Sequence, residues 1–143
     1  MGALSVYLDT SVLVSLFIND SFSPRARAFM ATGPTDVVVS DLASAEFASA
    51  LGIRCRRKLS NSVEARAAFA SLDIWSNRYA VTVQMQSADI HKAESALRRL
   101  DLSLRTPDAI HIAISQRLGA ELATFDNRLA DGAKTLGAAL AAV

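Results

Sequence analysis

Cysteine is almost missing: Cys55 is the single one in 143 residues. No disulfide can form within the chain, and a reducing compartment fits. Aromatic residues make up only 6%, and with alanine plentiful this favours closely packed helices. Charge of one sign is lacking too. Fifteen basic against fourteen acidic residues leave a net charge of +1, which gives no support to a simple electrostatic grip on nucleic acid. Nucleic acid bound through metal ions stays open. There are two histidines, His91 and His111, and neither is spaced to another His or Cys as a zinc site requires. No stretch approaches the roughly 20 apolar residues of a membrane span. The N-terminus lacks the basic region of a signal peptide, and Val6 stands where a myristoylation signal opening on Met1-Gly2 needs Ser or Thr. The expected location is the cytoplasm. What is present suffices for a fold: 51% hydrophobic and 20% charged residues can fill the core of one domain of ordinary size.

The chain alternates short apolar runs with helical patterns. Ala3 to Leu8, interrupted only by Ser5, has the character of a buried parallel strand. Val12 to Ile18 is almost wholly apolar, with Ser11, Ser15 and Asn19 recurring every four positions as a helical stripe. A short helix is expected from about Arg25 to Ala31, then a turn at Thr32-Gly33-Pro34. Asp36 to Val39 is a second strand, and Ser40 or Asp41 caps a helix to about Lys58. Asn61 and Glu64 form a capping box for a helix to about Asn77, with Val63, Ala67, Ala70 and Ile74 on one face. Ala80 to Val83 is a third strand. Ser87 starts a helix with Ile90, Ala93, Leu97 and Leu100 at helical spacing. Thr106-Pro107 opens another to about Leu118, closed by Gly119. Glu121 to Phe125 is a fourth strand, Asp126 opens a short final helix, and the tail from Ala138 is a candidate edge strand. No repeat, linker or low-complexity tract interrupts this order. The pattern implies an α/β fold: one domain over residues 1–143, with a central parallel sheet of four or five short strands and helices on both faces.

Four acids fall where such a fold gathers residues. Asp9 follows the first strand and Asp126 the fourth. Asp108 lies in the first turn of the Thr106 helix, and Glu46 one turn into the helix after the second strand. In open α/β sheets, ligands bind at the carboxyl ends of the strands. Each Asp also has a plain explanation as a helix-start residue that caps backbone N–H groups or favours the dipole. Glu46 is harder to explain so, because its turn neighbours Leu42, Ala43, Ser49 and Ala50 are small or apolar. A carboxylate there needs a metal or a paired base such as an arginine. Four carboxylates at one edge repel one another and resist ionising, and a divalent cation relieves that conflict. Oxygen ligands without His or Cys clusters suit Mg²⁺ or Mn²⁺.

Taken together, Val6-Tyr7-Leu8-Asp9-Thr10-Ser11, Ser44-Ala45-Glu46-Phe47, Arg105-Thr106-Pro107-Asp108-Ala109-Ile110-His111-Ile112-Ala113 and Ala123-Thr124-Phe125-Asp126-Asn127-Arg128-Leu129 resemble a PIN domain. More narrowly, they resemble the VapC-type toxins of bacterial toxin–antitoxin pairs, in order and over essentially the whole chain. The resemblance implies a Mg²⁺- or Mn²⁺-dependent endoribonuclease whose catalytic and metal-holding acids correspond to Asp9, Glu46, Asp108 and Asp126. It further implies an RNA substrate, homodimers, and a co-expressed antitoxin that blocks the site with a C-terminal segment. One or two ions, about 3.5–4 Å apart if two, would hold the scissile phosphate and activate a water for in-line attack. No nucleophilic side chain is then needed, and the family implies 5′-phosphate and 3′-hydroxyl products.

Auxiliary candidates are Thr10 and Ser11, which either orient water or phosphate or simply cap the first helix, and Arg105 with Arg128, which flank the acids. His111 lies three residues after Asp108, as a hydrogen-bonded structural histidine or a general base. Trp75 and Phe69 belong to the core or an interface. Arg54, Arg56, Arg57 and Lys58 form a basic run that either tracks an RNA backbone or is a solvated face favouring a helix C-terminus. Rival readings fit less well. A haloacid-dehalogenase-type phosphatase needs a second Asp where Ser11 stands, and a receiver domain needs an acidic pair where Tyr7-Leu8 precede Asp9. The remaining alternatives are a catalytically inactive PIN-like binding module and another metal-dependent phosphoesterase.

Overall fold

Ser5–Leu8 (β1), Asp36–Ser40 (β2), Ala80–Val83 (β3) and Glu121–Ala123 (β4) form one parallel sheet in the order β3-β2-β1-β4. They do so in a computed structural model that describes residues 5–143. Val6 pairs with Val37 on one side and with Glu121 on the other, so β1 is central. β1 is buried along its whole length and β2 from its second residue on, which is why both are near-continuous apolar runs. Ala3 and Leu4, expected in the first strand, lie outside the described residues. β4 stops at Ala123 rather than Phe125, because the backbone N–H groups of Phe125 and Asp126 go to the hydroxyls of Ser11 and Thr124 instead of a ladder. The expected edge strand in the tail shrinks to a single bridge. Leu140 sits opposite Leu122, with only Leu122 N–Ala139 O and Ala141 N–Leu122 O, each 2.9 Å, joining the two segments.

Among the described residues seven helices cover the sheet: Thr10–Phe17 (α1), Ser23–Ala31 (α2), Asp41–Arg56 (α3), Ser62–Tyr79 (α4), Ser87–Leu97 (α5), Thr106–Leu118 (α6) and Asn127–Thr135 (α7). Strand alternation divides the core in two. Val6, Leu8, Val37 and Val39 meet Val12, Leu13, Phe47, Leu51 and Leu72 from α1, α3 and α4 on one face. Tyr7, Val38 and Leu122 meet Ala93, Ile110, Ile112, Ile114 and Leu129 from α5, α6 and α7 on the other. Phe69 and Trp75 are partly buried against the first of these clusters.

The helix starts follow their caps. Asn61 accepts from Glu64 N at 2.8 Å, and Ser40, not Asp41, accepts from Ala43 N at 3.0 Å. Gly119 closes α6 at φ +62°, a left-handed conformation that glycine adopts without a Cβ clash. The face of α4 is a correction. Val63 and Ile74 are 76% and 66% exposed and Ala67 and Ala70 are exposed as well, while Ala65, Ala68, Leu72 and Ser76 are buried. Alanine occurs on both faces and discriminates neither, and the aromatic contacts of Phe69 with Phe47 and of Trp75 with Phe17 decide the rotation. On α5, Ala93 is buried and Leu97 partly so, but Ile90 is exposed. Leu100 lies beyond the helix at φ +65° and faces solvent.

One buried acid ties α5 to α6. Asp89 is 2% exposed and takes both Arg117 Nε and Nη2 at 2.9 and 3.0 Å, and Gln86 N at 2.8 Å. Burial alone would raise its pKa, but the Arg117 hydrogen bond and the Gln86 amide hold it below the ordinary 3.8. Arg117→Ala leaves that carboxylate unpaired. The expected loss is about 2 kcal/mol near neutral pH, under the roughly 3–5 of a fully buried pair, because Arg117 is 26% exposed. A depressed folded-state pKa contributes stability above the unfolded value that is lost as pH falls through the folded one. The gap between wild type and Arg117→Ala in urea unfolding should therefore close below pH 3.8.

Candidate active site

The carboxyl ends of β1 and β4 carry a network of hydrogen-bonded polar groups. Asp9 extends the β1–β4 ladder by one bond, its N–H donating to Ala123 O at 3.1 Å, and its side chain caps α1. Oδ1 accepts from Val12 N at 3.1 Å and from Ser11 Oγ at 2.7 Å. Oδ2 accepts the Thr124 hydroxyl. The carboxyl group is 3% exposed. Burial pushes its pKa above the ordinary value, against the three hydrogen bonds that favour the ionised form.

Thr124 and Ser11 reach across to the second acid. Thr124 Oγ1 also accepts from Asp126 N at 3.0 Å, and Ser11 Oγ accepts from Phe125 N at 3.0 Å. These bonds fix the backbone turn that presents Asp126, whose Oδ1 caps α7 through Arg128 N at 2.9 Å and Leu129 N at 3.3 Å. The turn forms because the sequence places one hydroxyl, Ser11, two residues after Asp9 and another, Thr124, directly after β4. Both caps expected from helix-start chemistry are thus present.

Glu46 is held from two sides. Its Oε1 accepts from Thr10 Oγ1 at 2.9 Å and faces His111 Nε2 at 2.5 Å. His111 Nδ1 lies 2.6 Å from Tyr7 Oη, which lies 2.7 Å from Ser40 Oγ. One proton assignment satisfies every atom: Nε2–H donates to Glu46, Tyr7 donates to Nδ1, Ser40 donates to Tyr7 and accepts from Ala43 N. Burial raises the Glu46 pKa, but the His111 hydrogen bond, the Thr10 hydroxyl and the charge of Arg105 outweigh it and leave Glu46 below the ordinary range. Burial pushes the Tyr7 hydroxyl well above its ordinary value. The base that pairs with Glu46 is thus a histidine and not an arginine.

Asp108 stands on the third residue of α6, half-buried, with Oδ2 accepting from Arg105 N at 3.0 Å. Helix spacing puts it one turn before His111. Arg105 is exposed. The network therefore joins Asp9 to the Asp126 turn and links Thr10, Glu46, His111 and Tyr7, while Asp108 meets it only through α6. Among the described residues, no three His, Cys, Asp or Glu side chains stand close enough to hold one ion between them. The donor chemistry nevertheless fits a hard divalent cation. Glu46 Oε2, Asp108 Oδ1 and Asp126 Oδ2 accept no hydrogen bond among the described residues, and burial opposes ionisation of Asp9, as a bound cation would reverse.

Thr124, Tyr7 and Ser40 were not singled out by the sequence. Thr124 has a local signal, a hydroxyl two residues before an acid that follows a strand. Tyr7 has none, because its partners Ser40 and His111 lie 33 and 104 residues away, and Ser40 reads only as a helix cap. The basic run sits at the far end of α3, about 15 Å along the helix from Glu46. Arg54 bonds Ser60 at 3.2 Å and Arg56, Arg57 and Lys58 face solvent. No helix among the described residues is long and apolar enough to cross a membrane.

Comparison with known proteins bears on this edge. The family model for the PIN domain matches residues 6–134. The chain is 36% identical to Ribonuclease VapC46 of Mycobacterium tuberculosis over 144 aligned positions, covering 96% of this chain and 97% of that protein. Among solved structures it resembles Mycobacterium tuberculosis VapC20, a sarcin-ricin loop cleaving toxin, with a TM-score of 0.73 and 22% identity over 88% of this chain and 93% of that one. It also resembles FitAcB from Neisseria gonorrhoeae, with a TM-score of 0.69 and 17% identity over 94% and 95%. These two structural likenesses speak to the fold.

Proposed function

The chain belongs to the PIN domain family, and from that premise we propose that it is a Mg²⁺- or Mn²⁺-dependent endoribonuclease, the toxin of a toxin–antitoxin pair. The observation that carries this reading is the carboxylate edge. Asp9 is buried where burial disfavours its charge, and the adjoining residue Thr10 touches a second acid, Glu46. Such an arrangement is costly for a fold alone and suited to a cation. A 36% identical ribonuclease relative supports the same activity.

Asp9, Glu46, Asp108 and Asp126 would hold the cation. When bound, it supplies charge neutralisation at the phosphodiester and a lowered pKa for water. The chain's own side chains do the positioning. Ser11, Thr124 and the Val12 amide orient the Asp9 carboxylate. Thr10 and His111 fix Glu46 Oε1 and leave Oε2 turned free. Hydrogen-bonded partners of this kind orient ligand groups and raise their effectiveness. Arg105, whose charge lowers the Glu46 pKa, would meet a phosphate in this reading. The partners in this reading are RNA, a cognate antitoxin that covers the acids, and a second copy of the chain, for which the exposed apolar stripe of α4 is available. The setting is the cytoplasm, and residues 1–143 act as a single ribonuclease unit.

Brief expression of the chain alone in a bacterial host tests this. New 5′-phosphate RNA ends should appear within minutes and growth should stop, and co-expression of the antitoxin should prevent both. Arrest without new RNA ends would count against the nuclease.

A further inference from the structure

Phe22 ends the α1–α2 loop and is 38% exposed. Its ring lies nearly parallel to that of Phe125, with centroids 4.9 Å apart and planes 11° apart. Phe125 is itself buried and immediately precedes Asp126. The Arg25 guanidinium stands 5.6 Å from the Phe22 centroid and 5.0 Å from that of Phe125. A group almost equally distant from two stacked rings lies beside the stack and not on top of it. The outer face of Phe22 is therefore not the one Arg25 covers. Arg25 is exposed and donates through Nη2 to Val143 O at 2.6 Å.

The loop that carries Phe22 is held in place. Asp20 accepts from Phe22 N at 2.9 Å and from Ser15 Oγ at 3.0 Å, and Ser23 Oγ donates to Ile18 O at 2.9 Å. Against the pair lies an open cavity of about 350 Å³ bordered by Thr10, Ser11, Asp20, Phe22, Phe125 and Asp126. Thr10 and Ser11 are the residues that touch Glu46 and Asp9, so the cavity adjoins the carboxylate edge directly. An exposed aromatic face with an arginine beside it is the combination that single-stranded nucleic acid uses: a base stacks on the ring and the neighbouring phosphate meets the guanidinium.

We propose that Phe22, backed by Phe125, is a stacking platform for one base of the RNA next to the scissile phosphate, and that Arg25 meets the phosphate of that nucleotide. This rests on the ribonuclease reading and adds a base-binding subsite to it. Stacking on a ring tolerates any base, so the platform favours unpaired RNA over duplex without selecting a sequence.

The test is fluorescence anisotropy in EDTA with two labelled probes of equal length: a single-stranded RNA of mixed sequence, and the same ribose-phosphate chain with every base removed. Phe22→Leu should weaken RNA binding on the order of tenfold, leave the baseless chain unchanged and keep the wild-type melting temperature, while Phe22→Trp restores RNA binding. Arg25→Gln should weaken both probes. Equal RNA binding by wild type and Phe22→Leu, or equal weakening of both probes, overturns the platform. The nuclease is scored separately by adding Mg²⁺. Cleavage that Phe22→Leu leaves unchanged, together with unchanged binding, removes the platform alone. Selective binding without cleavage removes the nuclease alone. A wild type that binds no RNA in EDTA overturns the platform, and the nuclease then stands or falls on cleavage in Mg²⁺.

Discussion

Asp9→Asn is expected to cut RNA cleavage by more than about 100-fold while leaving the metal-free fold at least as stable as wild type. Loss of a hydrogen-bonded partner around a metal site typically costs about 10–100-fold, and Asp9 is proposed as a direct ligand, so its loss should exceed that. Stability should move the other way. Asn keeps an oxygen to accept from Ser11 and Val12 N, the two bonds now made by Oδ1, and removes a buried charge. Burial raises the folded-state pKa of Asp9 above 3.8. A raised carboxylate pKa means that the folded state holds its proton longer, so wild-type stability falls as pH rises through that window. Asp9→Asn has no such loss. In metal-free buffer the variant should melt at or above the wild-type temperature near neutral pH, and the difference should close as pH falls toward 3.8. Millimolar Mg²⁺ should then stabilise wild type, by about 1.4 kcal/mol at tenfold excess over Kd, and leave the variant nearly unmoved. Melting curves at several pH values with and without Mg²⁺, beside a cleavage assay, check all three.

His111→Ala is expected to lower both stability and activity. The imidazole is buried and bridges Tyr7 at 2.6 Å to Glu46 at 2.5 Å, with the Tyr7 ring 5.6 Å away. Truncation opens a cavity in the core behind β1 and leaves Tyr7 with Ser40 as its one hydroxyl partner. The combined cost should be about 3–4 kcal/mol, read as a drop in the urea midpoint with an unchanged slope. Glu46 keeps Thr10 but loses the second group that holds its Oε1, so cleavage should fall about 10–100-fold. That is less than for Asp9→Asn, since His111 acts through Glu46. Comparing rates at a temperature well below both melting points separates positioning from unfolding.

Much of the fold was legible because strands and caps are local. The apolar runs of β1 and β2 and the Asn61, Pro107 and Gly119 signals each act within a few residues, and the α/β alternation followed from them. Asp9 and Asp126 proved legible as caps, and their position after strands placed them at one edge of a parallel sheet. The face of α4 was not legible. Val63, Ala67, Ala70 and Ile74 form as regular a stripe as Ala65, Ala68, Leu72 and Ser76, and only the aromatic packing of Phe69 and Trp75 against neighbouring helices chooses between them. The partner of Glu46 was invisible for a related reason. His111 lies 65 residues away, and no local pattern distinguishes it from an arginine brought in by the fold. Thr124 and Ser11 lie in motifs already noted, but their exchange of bonds across the β1–β4 junction depends on the pairing of two strands more than 110 residues apart. Phe22 resembled any loop phenylalanine until Phe125 was set beneath it.

The most direct test is RNA cleavage by the purified chain, stripped with EDTA and then titrated with Mg²⁺ or Mn²⁺, with thermal stability followed in the same samples. Cleavage should be absent in EDTA and should rise saturably with added ion, at the concentrations over which the melting temperature rises as RT ln(1 + [L]/Kd). Full cleavage in EDTA, or saturating metal that shifts neither signal, would contradict a cation held by Asp9, Glu46, Asp108 and Asp126.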